Sequence, residues 1–135
     1  MTTTPTATVV QVTLPFPPRK LSPNARVSWQ ERAPVIKSYR HECRIDAQNV
    51  RRDMEQRGVR FPLPGPVNVI VTFVLDDNQN RDWDNMIAAF KAGQDGITAA
   101  GIWQDDSIQA IGRIGYEWEP GPKKAVRVRI VGAEG

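Results

Sequence analysis

The chain has 135 residues, 40% of them apolar and 24% charged, with a net charge of +3, a composition that suits one soluble domain around its own hydrophobic core. Its single cysteine, Cys43, excludes an intrachain disulfide, and with one histidine, His41, a thiolate-rich zinc site is out of reach. No run approaches the roughly 20 apolar residues of a membrane span, and the start, Met-Thr-Thr-Thr-Pro-Thr-Ala-Thr, has neither the basic segment nor the apolar run of a signal peptide. The expected location is therefore the cytoplasm, with no membrane partner.

Residues 1–8 are expected to form a frayed tail, 9–131 one domain, and 132–135 a second tail. Val9 to Leu14 (VVQVTL) is β-branched and partly alternating, which predicts a first strand. Pro15-Phe16-Pro17-Pro18 stops it, because proline brings no N–H to a ladder. Residues 19–33 read as irregular, and a helix is expected from about Val35 to Gln56. There Tyr39, Cys43, Ala47, Val50 and Met54 recur at steps of three and four, and Lys37, Arg40, Arg44 and Arg51 fall on a neighbouring face. Gly58 supplies a stop, and Pro62, Pro64 and Pro66 mark a turn region.

Val67 to Leu75 (VNVIVTFVL) is the strongest strand, with Val67, Val69, Val71, Phe73 and Leu75 on one side. The polar loop Asp76-Asp77-Asn78-Gln79-Asn80 leads into Arg81-Asp82-Trp83-Asp84-Asn85. A second helix is predicted from Asn85 to Ala100, with Met86, Phe90, Gly93, Ile97 and Ala100 facing the core. Gly101 ends it, Ile102 to Asp106 forms a turn, and Ile108–Trp118 and Ala125–Val131 read as two more strands. In the last strand Val126, Val128 and Ile130 alternate with Arg127 and Arg129, so one face is basic. The order β-α-β-α-β-β predicts an α+β domain with a mixed sheet and two main helices.

Charge is unevenly spread. From Asp76 to Asp106 there are seven aspartates against Arg81 and Lys91, a local balance of −5, which leaves +8 on the rest of the chain. A basic body around an acidic patch suits a polyanion approached through bound cations; a solvated surface with clustered acids gives the same composition. Asp82 and Asp84, one residue apart at a helix start, have the spacing for a shared divalent ion, and an aspartate is equally at home there as a cap. Helix geometry sets Lys91 and Asp95 about two and three turns beyond Asp84 in nearly the same direction, opposite the apolar stripe. Asp105 and Asp106 follow that helix, and a return of their turn towards Asp84 is not fixed by spacing alone. Hard carboxylate oxygens suit Mg²⁺, which acidifies its water and relieves charge at a phosphate, and an ammonium such as Lys91 can steady the scissile group.

The runs Arg81-Asp82-Trp83-Asp84-Asn85, Lys91-Ala92-Gly93-Gln94-Asp95 and Ala100-Gly101-Ile102-Trp103-Gln104-Asp105-Asp106 resemble the RusA family of Holliday junction resolvases, as does the opening Leu14-Pro15-Phe16-Pro17-Pro18. The resemblance implies a Mg²⁺-dependent homodimeric endonuclease, with Mn²⁺ as a substitute, that resolves four-way DNA junctions in recombination and repair, in a phage or prophage setting for many members. It implies Asp82, Asp84 and Asp106 as catalytic metal ligands, Asp105 and Asp95 as supporting acids, and Lys91 as the basic catalytic residue. The stretch Met86–Phe90 departs from the family pattern by about three extra residues, close to one helical turn. A two-fold dimer suits two symmetric cuts. Arg19, Lys20, Lys37, Arg40, Arg44, Arg81, Lys123, Lys124, Arg127 and Arg129 are the expected phosphate contacts, which position DNA without reading its sequence.

His41 is expected at the surface or in packing, Cys43 as a buried thiol, and Trp103 and Trp118 in the core. Trp83 either packs beneath the site or stacks on an exposed base. Phe16 either wedges at a junction or anchors its turn, and Trp29 is a further candidate for meeting DNA. Two rivals stand beside the nuclease: a non-catalytic DNA-binding protein, and a metal-dependent enzyme acting on another DNA structure or a small phosphorylated substrate.

Overall fold

The computed structural model describes residues 8–132, so the expected tails fall mainly outside the described residues. The elements, in chain order, are β1 (Val9–Pro15), a 3₁₀ turn (Arg19–Leu21), α1 (Trp29–Gln56), β2 (Val67–Leu75), α2 (Trp83–Ala99), β3 (Ile111–Pro120) and β4 (Ala125–Val131). They form an α+β domain with a four-stranded mixed sheet ordered β1-β4-β2-β3. β4 lies antiparallel between β1 and β2, while β2 and β3 run parallel. Parallel strands need a crossover, and α2 supplies it. The chain then passes from β3 around the end of β2, where the Gly121 amide donates to Leu75 O at 2.9 Å.

Alternation decides which face of the sheet is covered. Val10, Val12 and Leu14 of β1, Val69, Val71 and Phe73 of β2, and Val126, Val128 and Ile130 of β4 are all at most 1% exposed. They join Tyr39, Cys43 and Ala47 of α1 and Met86, Phe90 and Ile97 of α2 in one core. Each buried Val, Leu, Ile or Phe of the strands contributes about 1.5–3 kcal/mol, so slipping a strand by one residue would cost its whole apolar set. Both helices therefore lie on one face. On the other face Thr72 Oγ1 donates to Glu117 Oε1 at 2.9 Å, and Arg127 pairs with Glu119.

Helix α1 begins six residues before the expected Val35, which corrects the reading of 19–33 as irregular. Ser28 caps it, its hydroxyl accepting from the Glu31 amide at 3.2 Å. Ser-x-x-Glu is a helix-start signature, and Pro34 is tolerated inside the helix close to that start. Both helices stop at a glycine in the left-handed region, Gly58 (φ +91°) and Gly101 (φ +77°), where a side chain would be strained. Helix α2 starts two residues earlier than predicted, and β3 starts at Ile111 rather than Ile108, because Ser107 to Ala110 forms a turn in which the Ile111 amide reaches Ser107 O at 2.8 Å. No helix among the described residues is long and apolar enough to cross a membrane.

Candidate active site

The C-terminal end of β2 feeds the loop 76–82, and ion pairs hold that loop closed. Arg81 donates to both Asp77 carboxylate oxygens, at 2.6 and 3.0 Å, and Lys124 Nζ lies 3.0 Å from Asp77 and 3.6 Å from Asp76. The Gln79 amide donates to Asp77 Oδ1 at 3.1 Å, completing the turn. Arg81 first, and Lys124 after it, hold the Asp77 carboxyl well below the usual carboxylate range. The Arg81 guanidinium also sits 5.8 Å from the centre of the Phe16 ring. Two expected phosphate contacts, Arg81 and Lys124, thus have their charge engaged inside the loop.

Asp82 caps α2, its Oδ1 accepting from the Asp84 amide at 2.8 Å. Asp82 and Asp84 are both exposed, at the helix end whose free amides favour negative charge. Trp83 packs against Phe73 at 6.3 Å between ring centres while 41% exposed. Phe16 meets the same Phe73 edge to face at 6.3 Å. Both aromatics brace the base of the loop.

Further along α2, Lys91 Nζ donates to Asp95 Oδ1 at 2.9 Å and lies 3.7 Å from Asp106 Oδ2. Asp95 first, then Asp106, raises the Lys91 pKa against the opposing effect of partial burial. The turn after α2 therefore does fold back on to the helix. It is fixed there by Thr98, whose hydroxyl donates to Asp106 Oδ1 at 2.6 Å and accepts from the Trp103 indole N–H at 2.7 Å. Trp103 is 1% exposed, as expected of a core residue, whereas Trp118, also expected in the core, is 55% exposed on the edge strand. Asp105 turns to Ser107, whose hydroxyl and amide lower its pKa, and accepts from that amide at 2.8 Å.

The expected acids thus occupy two places. Asp82 and Asp84 lie at the start of α2, and Asp106 joins Lys91 and Asp95 about 10 Å further along, at a rise of about 1.5 Å per residue. Among the described residues no three His, Cys, Asp or Glu side chains gather closely enough to hold a metal ion. The set Asp82, Asp84, Asp105 and Asp106 does not fit one ion: the return of the turn stops at Lys91, and Asp105 serves the turn itself. The pair Asp82 and Asp84 does suit Mg²⁺, which keeps several waters and takes one or two carboxylates beside substrate phosphates.

Between the β1–α1 connection and the start of α2 lies a cleft of about 930 Å³ that includes Asp82 and Asn85 on one wall and Pro17, Ser22 and Asn24 on the other. Sequence reasoning missed Asn24, Asn80 and Asn85 as lining residues, because nothing in the order of residues pairs position 24 with position 80. It also missed Thr98, although Thr98 stands seven residues beyond Lys91, on the same helix face.

The basic residues divide. Arg19, Lys20, Lys37, Arg40, Lys123 and Arg129 are exposed. Arg51, expected on the DNA face of α1, instead donates to Ala100 O at 3.0 Å and caps the C-terminus of α2. Arg44 reaches His41 Nδ1 at 3.2 Å, which leaves His41 a surface partner as expected. Arg32 pins the preceding loop through Ala25 O at 3.1 Å. Cys43 is fully buried, and burial pushes its thiol up to about 12.

No protein-family model matches the chain. It is similar to an uncharacterized protein of Xylella fastidiosa, 36% identical over 89 residues, a match that covers 66% of this chain and 56% of that protein. The chain thus spans little more than half the length of that relative.

Proposed function

We propose that the protein is a Mg²⁺-dependent endonuclease of branched DNA, cutting four-way junctions by hydrolysis of a phosphodiester. One observation carries this reading: the 102–106 turn returns to α2 and sets Asp106 against Lys91, on the helix face that also bears Asp84. An ammonium steadied by carboxylates, on the same helix face as an acidic pair about 10 Å away at the helix start, is an arrangement that serves phosphate chemistry. Bound Mg²⁺ supplies an acidified water and offsets charge developing at phosphorus. Asp82 and Asp84 would hold it, with Asp82 fixed by its cap to the Asp84 amide. Lys91 stays protonated, since Asp95 raises its pKa, and would orient the scissile phosphate. The exposed cations Arg19, Lys20, Lys37, Arg40, Lys123 and Arg129 would contact flanking phosphates. The reading includes a two-fold homodimer, because paired cuts need two equivalent sites.

The tight Thr98–Asp106 hydrogen bond favours a second reading, a non-catalytic protein of branched DNA whose acids cap and brace α2. One experiment separates the two. A synthetic four-way junction and a matched linear duplex are incubated with the protein, with and without Mg²⁺ or Mn²⁺. Metal-dependent cutting of the junction alone supports the nuclease. Retarded but uncut junction supports the binding protein, and neither binding nor cutting overturns both.

A further inference from the structure

We propose that the cleft beside Asp82 is a nucleobase pocket, which takes one unstacked base from the DNA strand presented to the site. The inference rests on the nucleic-acid substrate proposed above but not on cleavage. Its first ground is the polar chemistry of the walls. Asn24 comes from the β1–α1 connection, Asn80 from the β2–α2 loop and Asn85 from the first turn of α2, and all three line one cleft. The Asn24 bond to Ser22 Oγ, at 3.4 Å, uses its backbone amide, and the exposed side-chain amides of Asn24 and Asn80 are open to a ligand. A side-chain amide offers a donor and an acceptor side by side, which is the pattern on the edge of a base.

The second ground is what the walls withhold from a phosphate. Arg81 and Lys124 also line the cleft, but both are engaged by Asp77, and Asp82 adds a negative charge. An anion would find a poor site in the interior. Arg19 is the exposed cation of the lining, placed to meet the phosphate attached to a base rather than to replace it.

The third ground is apolar surface and size. Phe16, Pro17, Met86 and Ala89 supply the non-polar lining, against which the apolar face of a base can lie. A volume of about 930 Å³ is at the upper end of the ~300–1,000 Å³ of small-molecule pockets, with room for a base and its sugar. A base within a duplex is shielded by its neighbours, so entry requires unstacking, which is least costly where pairing is already broken. Branch points and single strands provide that.

The test needs no cleavage. ¹⁵N-labelled protein is titrated with the four deoxynucleoside 5′-monophosphates and, in parallel, with inorganic phosphate, following the side-chain NH₂ signals of Asn24, Asn80 and Asn85. At least one nucleotide is expected to shift these signals saturably while phosphate leaves them in place. The combined variant Asn24→Ala/Asn80→Ala is expected to bind that nucleotide about tenfold or more weakly, as loss of contacts to a base edge does, with its other amide signals unmoved. Absence of nucleotide-induced shifts, equal shifts with phosphate, or unchanged binding by the double variant overturns the pocket. Failure of the junction assay with nucleotide binding intact removes the nuclease reading and leaves the pocket standing.

Discussion

Asp106 places a carboxylate oxygen 2.6 Å from the Thr98 hydroxyl, and the direction of that bond is fixed from below. The Trp103 indole can only donate, and it donates to the same Thr98 oxygen at 2.7 Å. Thr98 has one proton left to give. Its two acceptors are Asp106 and Gln94 O, the latter at 3.2 Å; a charged and closer acceptor wins. A buried indole thus positions an exposed acid through one hydroxyl.

Replacing that hydroxyl tests the chain of bonds. Thr98→Val keeps the shape but leaves the buried Trp103 N–H without a partner, at a cost of about 1–3 kcal/mol. Thr98→Ser restores both bonds and most of the stability. Urea denaturation of the three proteins checks this, and equal midpoints for Val and Thr would show that Trp103 finds another acceptor. If Asp106 acts in cleavage, Thr98→Val also slows cutting, and Thr98→Ser rescues it.

Asp84→Asn removes a proposed metal ligand and one negative charge. Cleavage of a four-way junction should fall by at least about 100-fold, more than the ~10–100-fold that loss of an outer partner of a metal site costs. Junction affinity should hold or rise in a mobility-shift assay. Loss of both together would assign Asp84 a role in forming α2 rather than in chemistry.

Asp77 carries a different expectation, because it neutralises cations instead of binding metal. Asp77→Asn frees Arg81 from its carboxylate partner and leaves Lys124 with Asp76 alone. Duplex affinity at low salt should rise, and the slope of log K against log salt should steepen by up to about 0.9 per phosphate newly contacted. The same release follows acidification. Arg81 depresses the folded Asp77 pKa, so the stabilisation is present above the unfolded value of about 3.9 and is lost as pH falls towards the folded one. An unchanged salt slope in Asp77→Asn would mean that the loop keeps both cations from DNA by its shape.

The strands were legible because alternation and burial carry the same information. Val67 to Leu75 reads directly as a strand buried on one side, and Val126, Val128 and Ile130 divide from Arg127 and Arg129 as the pattern requires. The start of α1 was hidden by Pro34, which reads as a breaker although the Ser28–Glu31 signature precedes it. Trp118 shows the limit of residue type: edge position, not hydrophobicity, sets its exposure. Of the site, the Lys91–Asp95 pair follows from four-residue spacing, and Asp82 follows as a cap. Where Asp106 stops was not legible, because it depends on a hydroxyl bond between Thr98 and the returning turn. The engagement of Arg81 by Asp77 was equally silent, since a cation reads the same whether its partner is a phosphate or a neighbouring carboxylate.

Close approach of the two helices gives a stability prediction whose sign is not obvious. At Gly96 an added Cβ would lie 2.6 Å from Arg40 O and 3.0 Å from both Arg44 N and Cys43 Cβ. Gly→Ala inside a helix gains about 1 kcal/mol of propensity, but forcing a methyl against backbone costs about 1–3 kcal/mol. Backbone cannot swing aside as a side chain does, so Gly96→Ala should lower stability. A denaturation midpoint at or above that of the parent would show that α1 and α2 can separate without loss.

Cys43 reports on the same interface by its chemistry. The thiol is fully buried and its pKa is pushed up to about 12 by desolvation. Tyr39 is held by its hydroxyl, which donates to Pro15 O at 2.7 Å. At pH 8 the folded protein should therefore resist a chromogenic disulfide reagent that the urea-unfolded chain consumes at once, since only the exposed thiolate reacts. Folded and unfolded chains both keep the proton below the unfolded value of about 8.5, so Cys43 leaves stability unchanged there. Above it the unfolded chain ionises first, and stability falls as pH rises towards 12. Cys43→Ala should abolish that part of the alkaline loss while lowering stability at neutral pH through the space it leaves. Labelling of the native protein at the unfolded rate would mean that α1 and α2 part readily, and the helix contact at Gly96 would lose its force with it.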